Sequence, residues 1–461
     1  MTALRLSPTG ATARRVYGLG ALAGVLFGYD NGIIAAAILF IPRDLPLTPL
    51  QKGMVVSATV VGAMAGSLAG GPAADRLGRK RILMVAGAVF AAGALGAGLA
   101  STVEVLVGFR FVLGIAIGIA SVLAPIYLAE MAPARDRGVI TSLNQCTIIV
   151  GTALAGAIGF GLAFTGAWRA MLLIAVAPAV ALIVGLIGAP DTPRSLIRRG
   201  HRAEGRAVLE RLRPDEAGAE FAEIEAFERE QPTGPVRVRL SDPWVRRLVM
   251  LGTLLAIFQQ ITGINAVVYY APTVLTDFGL SDRTALLFGF LNGLLNVVTI
   301  VVVLRSRVVD RRGRKPVLLA GLIGMSVALC ALGAAACGLP TGSVALLVIA
   351  IAAFVLFTNT FSATWGPVLW VVLAEIFPLA IRGTAMAVVI VFTWLTDFSV
   401  SLTFPVFTDL VGAGPVFFAY AAAGVVIFPI VWWVVPETKG RSLESLEHEF
   451  HSGRGRLRRN R

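Results

Sequence analysis

The chain has 461 residues, of which 56% are hydrophobic and 15% charged, and a mean hydropathy of +0.80. Soluble domains carry roughly a quarter charged residues, so the composition excludes an ordinary soluble enzyme or binding domain and implies a polytopic membrane protein. The net charge of +13 is spread over short loops between apolar runs without interleaved aromatics, which is the pattern of charges that set membrane topology and not of a nucleic-acid footprint.

In chain order, Arg5, Arg14 and Arg15 precede a first apolar run that is not followed by a small-residue cleavage site. That run reads as a retained helix, not a signal peptide. Apolar stretches of about the twenty residues needed to cross a bilayer fall at 16–40, 54–74, 82–101, 104–129, 139–163 and 168–189, then at 247–275, 284–304, 316–338, 343–373, 383–409 and 413–435. Twelve spans place both ends on one side. The basic clusters at 76–81, 135–137, 194–206, 305–315 and 454–461 share that side, so both termini are expected to be cytoplasmic and the protein to be multi-pass in the plasma (inner) membrane. The expected organisation is a cytoplasmic N-terminus at 1–15, a six-helix bundle at 16–189, a cytoplasmic helical linker at 190–246, a second six-helix bundle at 247–435 and a cytoplasmic tail at 436–461.

The linker is rich in Arg and Glu with apolar residues at helical spacing, among them Ala207, Leu209, Leu212, Phe221, Ile224 and Phe227; it is too short for a catalytic domain. Cys146, Cys330 and Cys337 lie in apolar runs without ligand spacing, so they read as packing residues, with no metal and no cofactor implied. Glycines at small-xxx-small spacing, such as Gly62, Gly66 and Gly70 or Gly114 and Gly118, read as close helix crossings.

The two bundles are related. Asp75-Arg76-Leu77-Gly78-Arg79-Lys80-Arg81 recurs as Asp310-Arg311-Arg312-Gly313-Arg314-Lys315-Pro316. Glu130 with Arg137-Gly138 recurs as Glu375 with Arg382-Gly383, and Pro190-Asp191-Thr192-Pro193 is answered by Pro436-Glu437-Thr438-Lys439. Three pairs in one order within a hydrophobic chain are the mark of a transporter built from structural repeats, whose substrate site is expected near the bilayer midplane.

Read together, FGYD at 27–30, DRLGRKR at 75–81, PIYLAEMAPARDRG at 125–138, QQITGINAVVYYAP at 259–272, GPVLWVVLAEIFPLAIRG at 366–383 and PETKGR at 436–441 resemble the sugar porter family of the major facilitator superfamily. The resemblance covers nearly the whole chain and is closest in motif to the bacterial proton-coupled symporters for D-xylose and for glucose or galactose. It implies an all-α membrane protein of twelve transmembrane helices in two pseudo-symmetric six-helix halves, the major facilitator fold. It also implies a secondary carrier that is not an enzyme, moving a monosaccharide with a proton by alternating access in the lipid bilayer; the repeat within one chain suggests that a monomer suffices.

A neutral sugar offers hydroxyls that donate and accept, which uncharged amides match. By the resemblance, Gln145, Gln259, Gln260, Asn265 and Asn296 contact the sugar and Trp370 lines the cavity; taken singly, each amide reads equally well as an interhelical hydrogen bond, and Trp370 as an interfacial anchor. Such a site supplies roughly 4–7 kcal/mol, or millimolar to tens-of-micromolar binding.

All three histidines, His201, His448 and His451, lie in cytoplasmic segments, so proton coupling falls to carboxylates. Asp30 follows the FGY motif where facilitative relatives typically have Asn, and the resemblance gives it Arg110 as partner. A carboxylate that pairs with Arg in one state and separates in another can take up and drop a proton; the bland reading is a helix-end acid in an aqueous vestibule. Asp75, Arg79, Glu130 and Arg137, with Asp310, Arg314, Glu375 and Arg382, resemble the family's cytoplasmic gating network. The departures are Thr393 and Asp397, where the family commonly shows amides, and Thr152, where the xylose-type symporter has a Gln. Asp397 reads as a sugar contact, a selector of polyols, a second titrating group, or an acid near a water-filled path without a specific role. The alternatives in function are a facilitative uniporter, a polyol or inositol carrier, and a non-transporting sensor.

Overall fold

The computed structural model describes residues 11–132, 137–214, 216–230, 242–306, 308–377, 381–437 and 439, without the side chains of 11–17, 19–21, 137–145, 227–230, 304 and 310. These residues are helical with no strand among them, as expected where only internally hydrogen-bonded backbone can cross a bilayer. The first six spans become α1 (Ala11–Ala37), α2 (Ile41–Asp44), α3 (Pro49–Leu77), α4 (Arg79–Gly98), α5 (Val103–Met131), α6 (Arg137–Leu162), α7 (Trp168–Leu173) and α8 (Val176–Ile187). Here α2 is a single turn between the first two spans, and α7 with α8 forms the sixth. The linker folds as α9 (Pro193–Arg198), α10 (Arg202–Leu212) and α11 (Ala217–Glu230).

The second six spans are α12 (Pro243–Ile261) with α13 (Ile264–Asp277), α14 (Asp282–Ser306), α16 (Arg314–Gly338), α17 (Val344–Ala363) with α18 (Trp365–Ile376), α19 (Arg382–Val411) and α20 (Ala413–Val434), with a short α15 (Val308–Arg312) after α14. Among the described residues, ten spans are long and apolar enough to cross a membrane, and Leu22–Ala37 and Cys146–Leu162 are shorter apolar helices that complete the twelve. Large apolar side chains such as Val298, Val302, Val344 and Val348 stand exposed on α14 and α17, an arrangement suited to lipid contact. Cys330 and Cys337 are exposed on α16, although the Cys337 sulfur packs against Gly414 of α20; a thiol is apolar enough to face acyl chains.

Two compact units divide the chain. One comprises 1–33, 58–158 and 167–235, the other 34–57, 159–166 and 236–461. Within the first, α3 and α5 cross at their glycines, where a Cβ on Gly62 would run into the α5 backbone at Phe111 and one on Gly114 into that of Thr59. The linker helices belong to this unit: Ile197, Leu209, Ala217 and Ile224 form a small core with Phe221 against it. Phe227 lies outside the described side chains. Arg213, buried, pins the linker to α5 by donating to the Ala132 carbonyl at 2.9 Å and pairing with Glu220 at 3.0 Å. It therefore satisfies carbonyls left over at the α5 C-terminus.

In the second unit the seventh span breaks at Gly263, whose φ of +84° is left-handed and open to glycine without the Cβ clash. The tenth span breaks at Thr364. Both breaks expose backbone groups inside the bundle, which is tolerated in a membrane protein where side chains or a cavity satisfy them.

Candidate substrate and proton sites

In the first unit, Asp30 and Arg110 meet. They stand on α1 and α5, 2% and 1% exposed, and Arg110 Nη1 donates to Asp30 Oδ1 in a buried ion pair. Among the described residues, Asp30 Oδ2 has no hydrogen-bond partner. Next to it, Tyr29 donates to the Met171 carbonyl at 2.8 Å, fixing α1 against α7. Thr152 on α6 donates to the Gly28 carbonyl at 3.1 Å and to that of Ile148 at 3.1 Å; its hydroxyl serves the α1–α6 seam. The Gln145 side chain lies outside those described.

In the second unit, the break at Gly263 brings three predicted residues together. Gln259 and Gln260 end α12, Asn265 begins α13, and Asn265 Nδ2 donates across the break to Gln260 Oε1 at 2.9 Å. Gln259 Nε2 donates to the Trp365 carbonyl at 3.0 Å, at the start of α18, so one broken span is tied to the other. The Trp365 indole donates to the Leu318 carbonyl at 2.9 Å on α16. Trp370, further along α18, is partly exposed. Asp397 is buried on α19, accepts from Ser401 Oγ at 2.8 Å and is hydrogen-bonded by Asn265. Thr393 donates to its own helix at Val389.

Asn296 is not brought to this cluster. Ser362 Oγ donates to its Oδ1 at 2.7 Å and its Nδ2 donates to the Asn292 carbonyl at 2.9 Å, placing it in a polar seam of α14 and α17. That seam also holds Asn292, Thr299, Thr358 and Asn359, residues that sequence reasoning passed over although their amides and hydroxyls recur at helical spacing.

The charged loops form one cluster in each unit. Arg79 reaches Asp75 at 3.1 Å and Glu130 at 3.4 Å, and Asp75 also pairs with Arg198. In the other unit, Arg314 grips Glu375 through Nη2 at 2.8 Å and Nε at 3.2 Å, the two-pronged geometry that makes Arg–carboxylate pairs strong. Arg382 donates to the Phe377 carbonyl. The side chains of Arg137 and Asp310 lie outside those described.

The repeated acids Asp191 and Glu437, to which the sequence assigned no role, complete these clusters. Asp191 accepts from the Lys80 amide at 3.1 Å and pairs with Arg199. Glu437 accepts from the amides of Arg314 at 3.0 Å and Lys315 at 3.1 Å. Each carboxylate thus caps the exposed N–H groups of the helix that follows the loop glycine, α4 or α16, where the helix dipole favours a negative charge. Gly78 and Gly313 have φ of +99° and +97°, and a Cβ on Gly313 would lie 2.5 Å from Glu437 Oε2. Gly313→Ala is therefore expected to lower stability by about 1–2 kcal/mol from backbone strain alone, read as an earlier thermal transition of the purified protein. The signal for these acids was the matched offset of the third repeat pair.

Twelve spans in two units, a buried acid–guanidinium pair in one and a cluster of amides around helix breaks in the other define a secondary carrier for a small polar solute. The family model described as "Sugar (and other) transporter" matches residues 18–450. The D-xylose transporter of Levilactobacillus brevis is 39% identical over 448 residues, covering 95% of this chain and 96% of that one. The galactose-proton symporter of Escherichia coli is 36% identical over 440 residues, covering 95% and 94%. Among solved structures, the inward-open xylose transporter XylE of Escherichia coli superposes with a TM-score of 0.82 at 30% identity, covering 94% of this chain and 98% of that one. The chain belongs to the sugar transporter family of the major facilitator superfamily, and is a membrane transporter with that fold.

Proposed function

We propose that the protein is a proton-coupled monosaccharide symporter, taking an aldose such as xylose, glucose or galactose into the cell. The observation that carries the reading is the buried Asp30–Arg110 pair in a chain whose other unit gathers Gln259, Gln260, Asn265 and Asp397. An ion pair in a membrane interior is rare and marks coupling-ion or substrate paths. Protonation of Asp30, at the oxygen without a hydrogen-bond partner among the described residues, neutralises the acid and loosens its hold on Arg110, which permits the loaded carrier to reorient. Xylose and galactose are the printed substrates of the relatives named above. The carrier works as a monomer in the plasma membrane with both termini cytoplasmic, supported by the basic clusters and by the repeat within one chain.

The test is uptake of labelled D-xylose and D-glucose into proteoliposomes with and without an inward proton gradient, with galactose and inositol as competitors. Gradient-dependent accumulation that a protonophore abolishes is the expected result. Uptake that only equilibrates would make the protein a uniporter, and inositol as the better competitor would make it a polyol carrier.

The charged clusters act in gating. Arg314→Gln removes the two-pronged grip on Glu375 and is expected to favour the state open to the cytoplasm. Faster labelling of a cysteine placed at the cytoplasmic mouth reads this directly; unchanged labelling would leave the cluster a purely structural role.

A further inference from the structure

Among the described residues, no cation pairs with the buried acid Asp397. It lies on α19 at 2% exposure, and the described groups against it are neutral: Ser401 Oγ donates at 2.8 Å, and the Asn265 amide lies beside it. Asn265 in turn donates to Gln260, so an acid and two amides make one connected chain. Charged and titratable groups on the elements around it lie elsewhere. Arg246 and Arg247 are in the first turn of α12, roughly 20 Å along that helix from Gln260 at 1.5 Å per residue. Asp277 ends α13 and feels the charge of Lys52 on α3, whose neighbour Gly53 packs against Leu402. Arg382 and Asp409 lie near the two ends of α19, and Tyr420 on α20 stacks on Phe404. Two tyrosines come to the cluster: Tyr270 donates to the Ser401 carbonyl at 2.9 Å, and the Tyr420 ring packs on Gly263 at the break between Gln260 and Asn265.

An ionised carboxylate held out of water without a counter-charge is costly, and a proton removes the cost. The neutral acid then both donates and accepts, the repertoire of an amide, whereas the ionised form only accepts. With its proton on, Asp397 presents a sugar with the same kind of group as Gln260 and Asn265.

We propose that Asp397 is a second proton-binding group of the carrier, set among the sugar-binding amides, and that sugar binds when Asp397 carries its proton. The inference rests on the sugar-transport reading above. The proton comes from solution, forms one O–H bond on the carboxylate and returns to solution when the sugar has left. Since only the protonated form is competent, apparent affinity falls with its population: binding is strongest at acid pH and weakens about tenfold per pH unit beyond the titration.

Equilibrium binding of labelled D-xylose, D-glucose and D-galactose to purified carrier, without any gradient and from about pH 5 to pH 9, tests this in wild type, Asp30→Asn and Asp397→Asn. Asp30→Asn is expected to keep the alkaline loss of affinity, and Asp397→Asn to bind with a flat profile. An alkaline loss that persists in Asp397→Asn overturns the proposal. Independently of any Asp397 variant, adding D-xylose to Asp30→Asn in weakly buffered alkaline solution should take up about one proton per sugar bound, and no uptake overturns the proposal. Failure of the wild type to bind any of the three sugars would overturn the sugar reading itself, and this inference with it.

Discussion

Asp30→Asn is expected to cut accumulation sharply: sugar still enters proteoliposomes down its gradient, but at a given proton gradient the ratio of inside to outside concentration falls to the share that the proton on Asp397 alone can drive. The amide keeps the size of the carboxyl group and can accept from Arg110, but it cannot ionise, so it imitates the protonated state permanently. Arg110→Leu behaves differently. It leaves Asp30 buried, 2% exposed, with its ion-pair partner gone, and breaking one side of a buried pair costs about 3–5 kcal/mol. The double variant Asp30→Asn with Arg110→Leu is expected to recover most of that loss, because neither charge remains. Thermal unfolding of the three purified variants measures this, and a double variant as unstable as Arg110→Leu would mean that Arg110 supports the fold through other contacts.

The second large effect concerns the amide bridge across the broken seventh span. Gln260→Ala and Asn265→Ala are each expected to raise the KM for sugar about tenfold, equivalent to roughly 1.4 kcal/mol, with folding preserved. Because Asn265 donates directly to Gln260, the two losses should not add. A coupling of about 0.5 kcal/mol or more in the double variant is the expected mark of groups in contact, and strict additivity would show that each meets the sugar alone. By contrast, Asn296→Ala should act on the α14–α17 seam, since Ser362 and Asn292 hold its side chain.

Much of this was legible in the sequence, for reasons that differ between parts of the molecule. The spans were legible because a bilayer demands length and apolarity together. Asp30 with Arg110 was legible through resemblance, since no spacing rule connects residues on α1 and α5; the ion pair is a product of the bundle. The breaks at Gly263 and Thr364 were not anticipated, because a long apolar run conceals a change of backbone direction when the apolar pattern continues across it. The linker was legible as helices from Leu209, Leu212 and Ile224, yet its attachment to α5 was not, because that rests on Arg213, a residue that in a basic linker resembles every other arginine. Asn296 fits the other reading open to each amide, an interhelical hydrogen bond. Its partner Ser362 could not be named in advance, because no local pattern connects residues on α14 and α17.

The carboxylate caps on α4 and α16 bear on how the chain divides. Asp191 follows the sixth span and reaches back to the helix that begins the third, and Glu437 follows the twelfth and reaches back to the helix that begins the ninth. Each half therefore carries its own clasp, closed by a residue from its own last span and independent of the stretch between 231 and 241. A chain opened in that stretch keeps both clasps whole, each within a single fragment.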